Sequence, residues 1–202
     1  MQNKQPIVNG LVLTGGKSTR MGRDKSAIKW HGKEQQYYIA DLLKSVCEEV
    51  FISCRADQEV QTPYKKINDA YDCGGPICGI LSAFQKDEEV AWLVVACDLP
   101  LIDKVTFQQL ITERDPSMIA TAFISSFDGL PEPLIAIWEP SSFILLNNAF
   151  LEGKKCPRKL LINNHPKLVQ PENSDALLNA NTPEDAEKVD TILNKKKGLF
   201  IE

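Results

Sequence analysis

The apolar run at residues 7–13 leads directly into Thr14-Gly15-Gly16-Lys17-Ser18-Thr19-Arg20-Met21-Gly22-Arg23-Asp24-Lys25, and no other stretch narrows the fold as far. After Thr14 this loop carries three glycines and four cationic side chains. Glycines let backbone amides approach a ligand closely, and the cations balance a strongly anionic one, such as a polyphosphate. Gly16-Lys17-Ser18 imitates the end of a P-loop, but that motif needs glycine at position 11, which is Leu11. The segment is therefore a phosphate-binding loop of another kind, set at the end of a strand.

The rest of the chain repeats an alternation of short elements. Apolar runs predict strands at 7–14, 50–54, 65–68, 91–96, 117–122, 134–138 and 167–170. Helices are predicted at 37–47, 76–85, 103–113, 140–151, 158–162 and 183–193. Pro76 suits a first helical turn, Asp103 caps the next helix, and Thr182 followed by Pro183 opens the last. A strand apolar throughout, such as Trp92-Leu93-Val94-Val95, belongs inside a parallel sheet covered on both faces. The predicted class is α/β, a three-layer αβα Rossmann-like fold around a mainly parallel sheet, with ligands at the carboxyl ends of the strands. Asn194-Lys195-Lys196-Lys197-Gly198 reads as a solvated tail.

Composition removes several function classes. With 202 residues the chain supports one substantial core, and a net charge of −4 argues against a general binder of nucleic acid or anionic membranes. The basic loop is thus a focused anion site on a mildly acidic protein. No apolar stretch has the length of a bilayer span, and the first residues lack the pattern of a signal peptide, so a cytoplasmic location is expected. The six cysteines include no Cys-x-x-Cys pair and are expected to be reduced thiols packed as small hydrophobes. The two histidines, His31 and His165, read as surface residues, and no nucleophile elbow accompanies them, which argues against a hydrolytic triad.

Four segments carry further chemistry. Asp98, in Cys97-Asp98-Leu99-Pro100, follows the most apolar strand and is either a magnesium ligand or a turn cap. Asn68-Asp69 precedes Gly74-Gly75-Pro76, a loop that either meets an anion or base edge or is an ordinary turn into a helix. Pro131-Glu132-Pro133-Leu134 is a stiff lip over a substrate or the start of an edge strand. In Asn179-Ala180-Asn181-Thr182-Pro183-Glu184-Asp185, the two asparagines are what helix capping does not require.

Together these segments resemble the molybdenum cofactor guanylyltransferases of the nucleotidyltransferase superfamily, in the family's order and over residues 11–185. The run from Thr14 to Lys25, Asp69, Gly75-Pro76-Ile77-Cys78-Gly79, Asp98, Pro131-Glu132-Pro133-Leu134 and Asn179 to Asp185 carry the likeness. Gly15-Gly16 looks less like the cytidylyl relatives, which usually have alanine before the second glycine. The resemblance implies a single domain over 1–202, with a nucleotide-binding half at about 6–105 and an acceptor-binding half at about 106–194. It implies Mg2+-dependent transfer of GMP from GTP to molybdopterin, with release of pyrophosphate. By that likeness Leu13, Thr14, Gly15, Gly16 and Lys25 hold the nucleotide, and Arg20 lies near its triphosphate. Asp69 contacts the guanine side, Asp98 binds the metal, and Asn179 and Asn181 lie on the molybdopterin side. Arg20, Lys25 and Asp98 are the implied catalytic set. A molybdoenzyme or cofactor chaperone is the implied protein partner, with no nucleic acid and no membrane.

Two positions depart from the family pattern. Glu34-Gln35-Gln36 follows Gly32-Lys33 where Pro-Leu is usual, and an asparagine after the second strand is replaced near Ser53-Cys54. The alternatives are a nucleotidyltransferase that uses CTP or a sugar phosphate, and a non-catalytic nucleotide-binding adaptor.

Overall fold

The computed structural model describes residues 6–14, 27–55, 62–71 and 74–198. In chain order its strands are β1 (Val8–Leu13), β2 (Val50–Cys54), β3 (Lys65–Asn68), β4 (Ala91–Ala96), β5 (Ala120–Ile124), β6 (Pro131–Trp138) and β7 (Lys167–Val169). The helices are α1 (Gln35–Leu43), α2 (Pro76–Lys86), α3 (Lys104–Thr112), α4 (Ser142–Leu151), α5 (Pro157–Asn163) and α6 (Pro183–Gly198). All seven strands form one sheet in the order β3-β2-β1-β4-β6-β5-β7. Among them β6 alone runs against its neighbours β4 and β5; the remaining pairs are parallel. The predicted three-layer, mainly parallel α/β architecture is what forms.

Alternation along the strands divides the core between the two faces. Leu11, Leu13, Trp92, Val94, Ala136 and Trp138 pack under α2, α4 and α5. Val12, Leu93, Val95, Ile135 and Ile137 pack under α1 and α3. Strand β4 lies between β1 and β6 and all six of its residues are buried, which is why its sequence is apolar without a break. Edge strand β3 buries only Ile67 and spends its other positions on exposed polar residues. At the rim opposite the strand carboxyl ends, buried Arg114 grips Glu139 through Nε at 2.7 Å and Nη2 at 2.8 Å, and donates Nη1 to the Pro6 carbonyl. A bidentate pair of this kind satisfies both partners and fixes that end of the sheet.

Several boundaries moved, for local reasons. Strand β5 begins at Ala120 rather than 117, because Asp115 accepts from the Ser117 amide at 3.0 Å and hydroxyl at 2.6 Å and makes a turn there. Helix α6 continues to Gly198, so 194–198 is helix and not a tail; its lysines are good helix formers and no proline or glycine interrupts them. Strand β6 is no edge strand. Its first residues overhang β4, whose pairing with it ends at Val95↔Ile135, so Pro131 and Pro133 fall where β4 asks for no donor. Cys47, Cys54, Cys97 and Cys156 are in no disulfide, as expected. Cys78 departs from the expectation and is disulfide-bonded. Among the described residues no helix is long and apolar enough to cross a membrane.

Candidate functional site

Because β6 is reversed, the carboxyl ends of β1, β2, β3, β4, β5 and β7 share one rim with the β5–β6 turn and the segment after β7. Most of the singled-out residues within the described chain collect there. Gly15, Gly16, Arg20 and Lys25 lie outside the described residues; β1 delivers the chain to that rim at Leu13 and Thr14. Thr14 is buried and its hydroxyl donates to the Ser53 carbonyl at 2.7 Å, while the Leu13 carbonyl accepts from the Cys97 amide at 3.3 Å.

One flank of the rim is built on β2, β3 and α2. The Ser53 hydroxyl donates to Asp69 Oδ1 at 3.0 Å, and the Asp69 amide donates to the Cys54 carbonyl at 2.8 Å. Burial pushes the Asp69 carboxyl above its ordinary value, against the opposing pull of the Ser53 hydrogen bond and the Arg55 charge. The next amide, at Ala70, is held by the Ser82 hydroxyl of α2 at 2.8 Å. Helix α2 comes this close because residue 79 is glycine. A Cβ there would stand 2.6 Å from Leu13 Cδ2 and 2.7 Å from Ser53 Oγ. Gly75, with φ +130°, takes the residue before Pro76 through a conformation that side chains avoid. Ser53 thus joins the residue after β1, strand β3 and the Asp69 loop, a role nothing local in the sequence announces.

The other flank is an open cleft with two lobes, about 240 Å³ and about 400 Å³. Asp98, Asn179 and Asn181 line its inner lobe with Glu132, and Arg158 and Asn179 border both lobes. The Ala180 amide donates to the Asp98 carbonyl at 2.9 Å, joining segments 82 positions apart in sequence. The asparagine segment is itself braced: Asp185 accepts from the Asn181 amide at 3.1 Å and the Thr182 amide at 3.0 Å, and donates its own amide to the Thr182 hydroxyl at 3.2 Å. That is a capping box with Thr182 as cap, as predicted. Leu101, Ala180 and Val189 form a small apolar cluster that seats α6 beneath the segment.

Three supports were not legible beforehand. Gln35, fully buried at the start of α1, donates Nε2 to the Leu99 carbonyl at 2.9 Å and so holds the Asp98 loop. This gives the polar departure at 34–36 a structural use. His31, expected as a plain surface residue, stacks on Tyr38 with ring centroids 3.7 Å apart and donates Nε2–H to the Pro100 carbonyl at 2.7 Å. Arg158 on α5 pairs with Glu132 at 2.7 Å and Asp128 at 2.9 Å. Burial draws the guanidinium down, but hydrogen bonds and charge from Glu132 and Asp128 outweigh it, so its pKa is raised and it stays cationic.

Asp98 shares its lobe with the Glu132 carboxylate, which is paired with Arg158, and with the Asn179 and Asn181 side chains, so the candidate metal ligands there are oxygen groups. Among the described residues no group of three His, Cys, Asp or Glu side chains forms a metal cage. Such a set suits a hard cation that takes one or two carboxylates and completes its shell with water and substrate phosphates.

The model of the MobA-like NTP transferase domain matches residues 10–168. A molybdenum cofactor biosynthesis bifunctional protein from Synechocystis sp. is 39% identical over 184 residues, which is 90% of this chain and 53% of that protein. This chain therefore spans about half the length of that relative. A molybdenum cofactor guanylyltransferase from Pseudomonas entomophila is 28% identical over 193 residues, covering 91% of this chain and 98% of the relative. The crystal structure of molybdopterin-guanine dinucleotide biosynthesis protein A from Archaeoglobus fulgidus superposes with a TM-score of 0.78 at 22% identity, covering 93% and 99% of the two chains.

Proposed function

The chain belongs to the MobA-like NTP transferase family, and on that premise we propose that it transfers GMP from GTP to the terminal phosphate of molybdopterin, releasing pyrophosphate. The observation that carries this reading is the hydrogen bond from Ala180 to the Asp98 carbonyl, which sets a strand-end carboxylate beside the asparagine segment in one cleft. A reaction between two polyanions needs such a meeting point between two binding flanks.

In this proposal the guanine lies toward Asp69 and Gly75, where the carboxylate accepts from the N1–H and N2–H donors of the base. The triphosphate runs along the strand end toward Gly15, Gly16, Arg20 and Lys25, with Leu13 and Thr14 fixing where that loop begins. Molybdopterin occupies the cleft lined by Asn179 and Asn181. An oxygen of its phosphate forms the new bond to the α-phosphorus, and the bond to the β-phosphate oxygen breaks in line. The nucleophile is already an anion, so no side chain must remove a proton; positioning and charge neutralisation supply the catalysis. Mg2+, when bound at Asp98, neutralises charge on the transferring phosphates. Arg20 and Lys25 add the remaining positive charge. The division into a nucleotide half and an acceptor half, a cytoplasmic setting, and delivery of the product to a molybdoenzyme or chaperone belong to the same proposal.

Pyrophosphate release, measured with each of the four ribonucleoside triphosphates and magnesium, with and without molybdopterin, tests it. Release with GTP, dependent on molybdopterin, is expected. Release with CTP instead would move the chain to a cytidylyl chemistry, and silence with all four from folded protein would remove the transferase reading.

A further inference from the structure

The β5–β6 turn presents a feature that the reaction as described does not use. Phe127 at its tip is 96% exposed, the most exposed of the large hydrophobic residues among those described. The turn beneath it is closely bonded. The Ser125 amide donates to the Leu130 carbonyl at 2.8 Å, the Gly129 amide to the Ser125 carbonyl at 2.9 Å, and the Leu130 amide to Asp128 Oδ1 at 3.1 Å. Arg158 then ties Asp128 back to α5 at 2.9 Å. An aromatic ring is thus held in water by a hydrogen-bonded turn.

A lone exposed apolar side chain needs no explanation by itself. Phe127 differs by its place, since it borders the larger lobe of the cleft together with Arg158, Ser174, Leu177 and Asn179. The other large exposed hydrophobics of the described chain, Val105, Ile144 and Leu151 among them, line neither lobe. That lobe, about 400 Å³, is in the size range of small-molecule sites. Its surface offers an exposed π-face next to polar groups, which suits a ligand with one flat aromatic part and one polar part.

We propose that Phe127 stacks on the fused pterin ring of the acceptor and thereby sets the affinity for it. The inference rests on the function proposed above, which puts molybdopterin in this cleft. Geometry separates it from the base of the nucleotide. Ser53 at the end of β2 and the end of β5 are four strand positions apart across the sheet, a span of roughly 19 Å at about 4.8 Å per strand. A guanine beside Asp69 is farther still, so the ring within reach of Phe127 is the acceptor's.

Three proteins test this: wild type, Phe127→Ala and Phe127→Trp. Alanine should raise the KM for molybdopterin about 10- to 100-fold, the range of one lost ring stack, and leave kcat and the KM for GTP unchanged. Tryptophan should restore the molybdopterin KM. Its added emission should be quenched by molybdopterin without GTP, and not by GTP alone, relative to wild type. An unchanged molybdopterin KM in the alanine variant of an active enzyme overturns the inference, as does quenching by GTP alone. If wild type transfers nothing from GTP to molybdopterin, the proposed function fails. The titration then decides the stacking by itself, with quenching by molybdopterin supporting it and none overturning it.

Discussion

The two flanks of the ligand rim are built in opposite ways. On the β2–β3 flank the polar groups bond to one another: Ser53 serves Thr14 and Asp69, Ser82 serves Ala70, and Gly79 lets α2 close onto them. On the β5–β6 flank the charged groups face an open cleft, and the chain segments around it meet from distant parts of the sequence. A close-packed flank holds one shape and suits selection of a rigid base. An open flank, braced by an ion-pair tether and a capped helix, suits the larger acceptor of the proposed reaction, which would enter there and leave as a dinucleotide. Asp98 sits where the two meet.

Changes at that junction should have the largest effect. Asp98→Ala is expected to lower transfer about a thousand-fold, about 4 kcal/mol of lost charge stabilisation. The Ala180 bond should survive the substitution, because it goes to the carbonyl of residue 98, which alanine keeps. Activity near wild type would take the junction out of the chemistry. Next comes packing on the closed flank. Gly79→Ala drives a Cβ into Leu13 and Ser53 and should cost about 1–3 kcal/mol in urea unfolding; an unchanged midpoint would show that this flank yields.

Titration gives a third, smaller effect on the same flank. Asp69 has its pKa raised above 3.8 by burial, so its charged form is disfavoured in the folded state. Its contribution to stability therefore falls as pH rises from the ordinary value through the raised one. Binding of guanine to the carboxylate has the reverse dependence: GTP affinity should drop as pH falls through the raised value, by up to about tenfold per pH unit. Asp69→Asn should abolish that dependence, and an identical profile in the variant would separate Asp69 from the base. The smallest effect belongs to the open flank. Asp128→Ala removes a partly exposed ion pair with Arg158 and should shift the midpoint of chemical denaturation less than Gly79→Ala does; an equal or larger shift would mean that the cleft wall is as rigid as its neighbour.

The flanks also differ in how far the sequence exposed them. Uninterrupted apolar strands and helix starts at Pro76, Asp103 and Pro183 made the layered fold legible, since each is decided by local pattern. Asp69, Asp98, Asn179 and Asn181 could be singled out because they stand at the ends of such elements. Their supports could not. Gln35 reaches Leu99 and Arg158 reaches Glu132 and Asp128 across the fold, and no short-range signal distinguishes them from surface polar residues. The prolines at 131 and 133 suggested an edge strand because a missing donor is usually tolerated there; an overhang beyond a shorter neighbour satisfies the same condition inside the sheet.

The most direct test of the two-flank account is a crystal structure with a non-hydrolysable GTP analogue, magnesium and molybdopterin bound together. The account predicts guanine density beside Asp69 and Gly75, pterin density between Asn179 and Phe127, and the reacting phosphates meeting at Asp98. Guanine density in the cleft between Glu132 and Asn179, or both ligands competing for one flank, would contradict it.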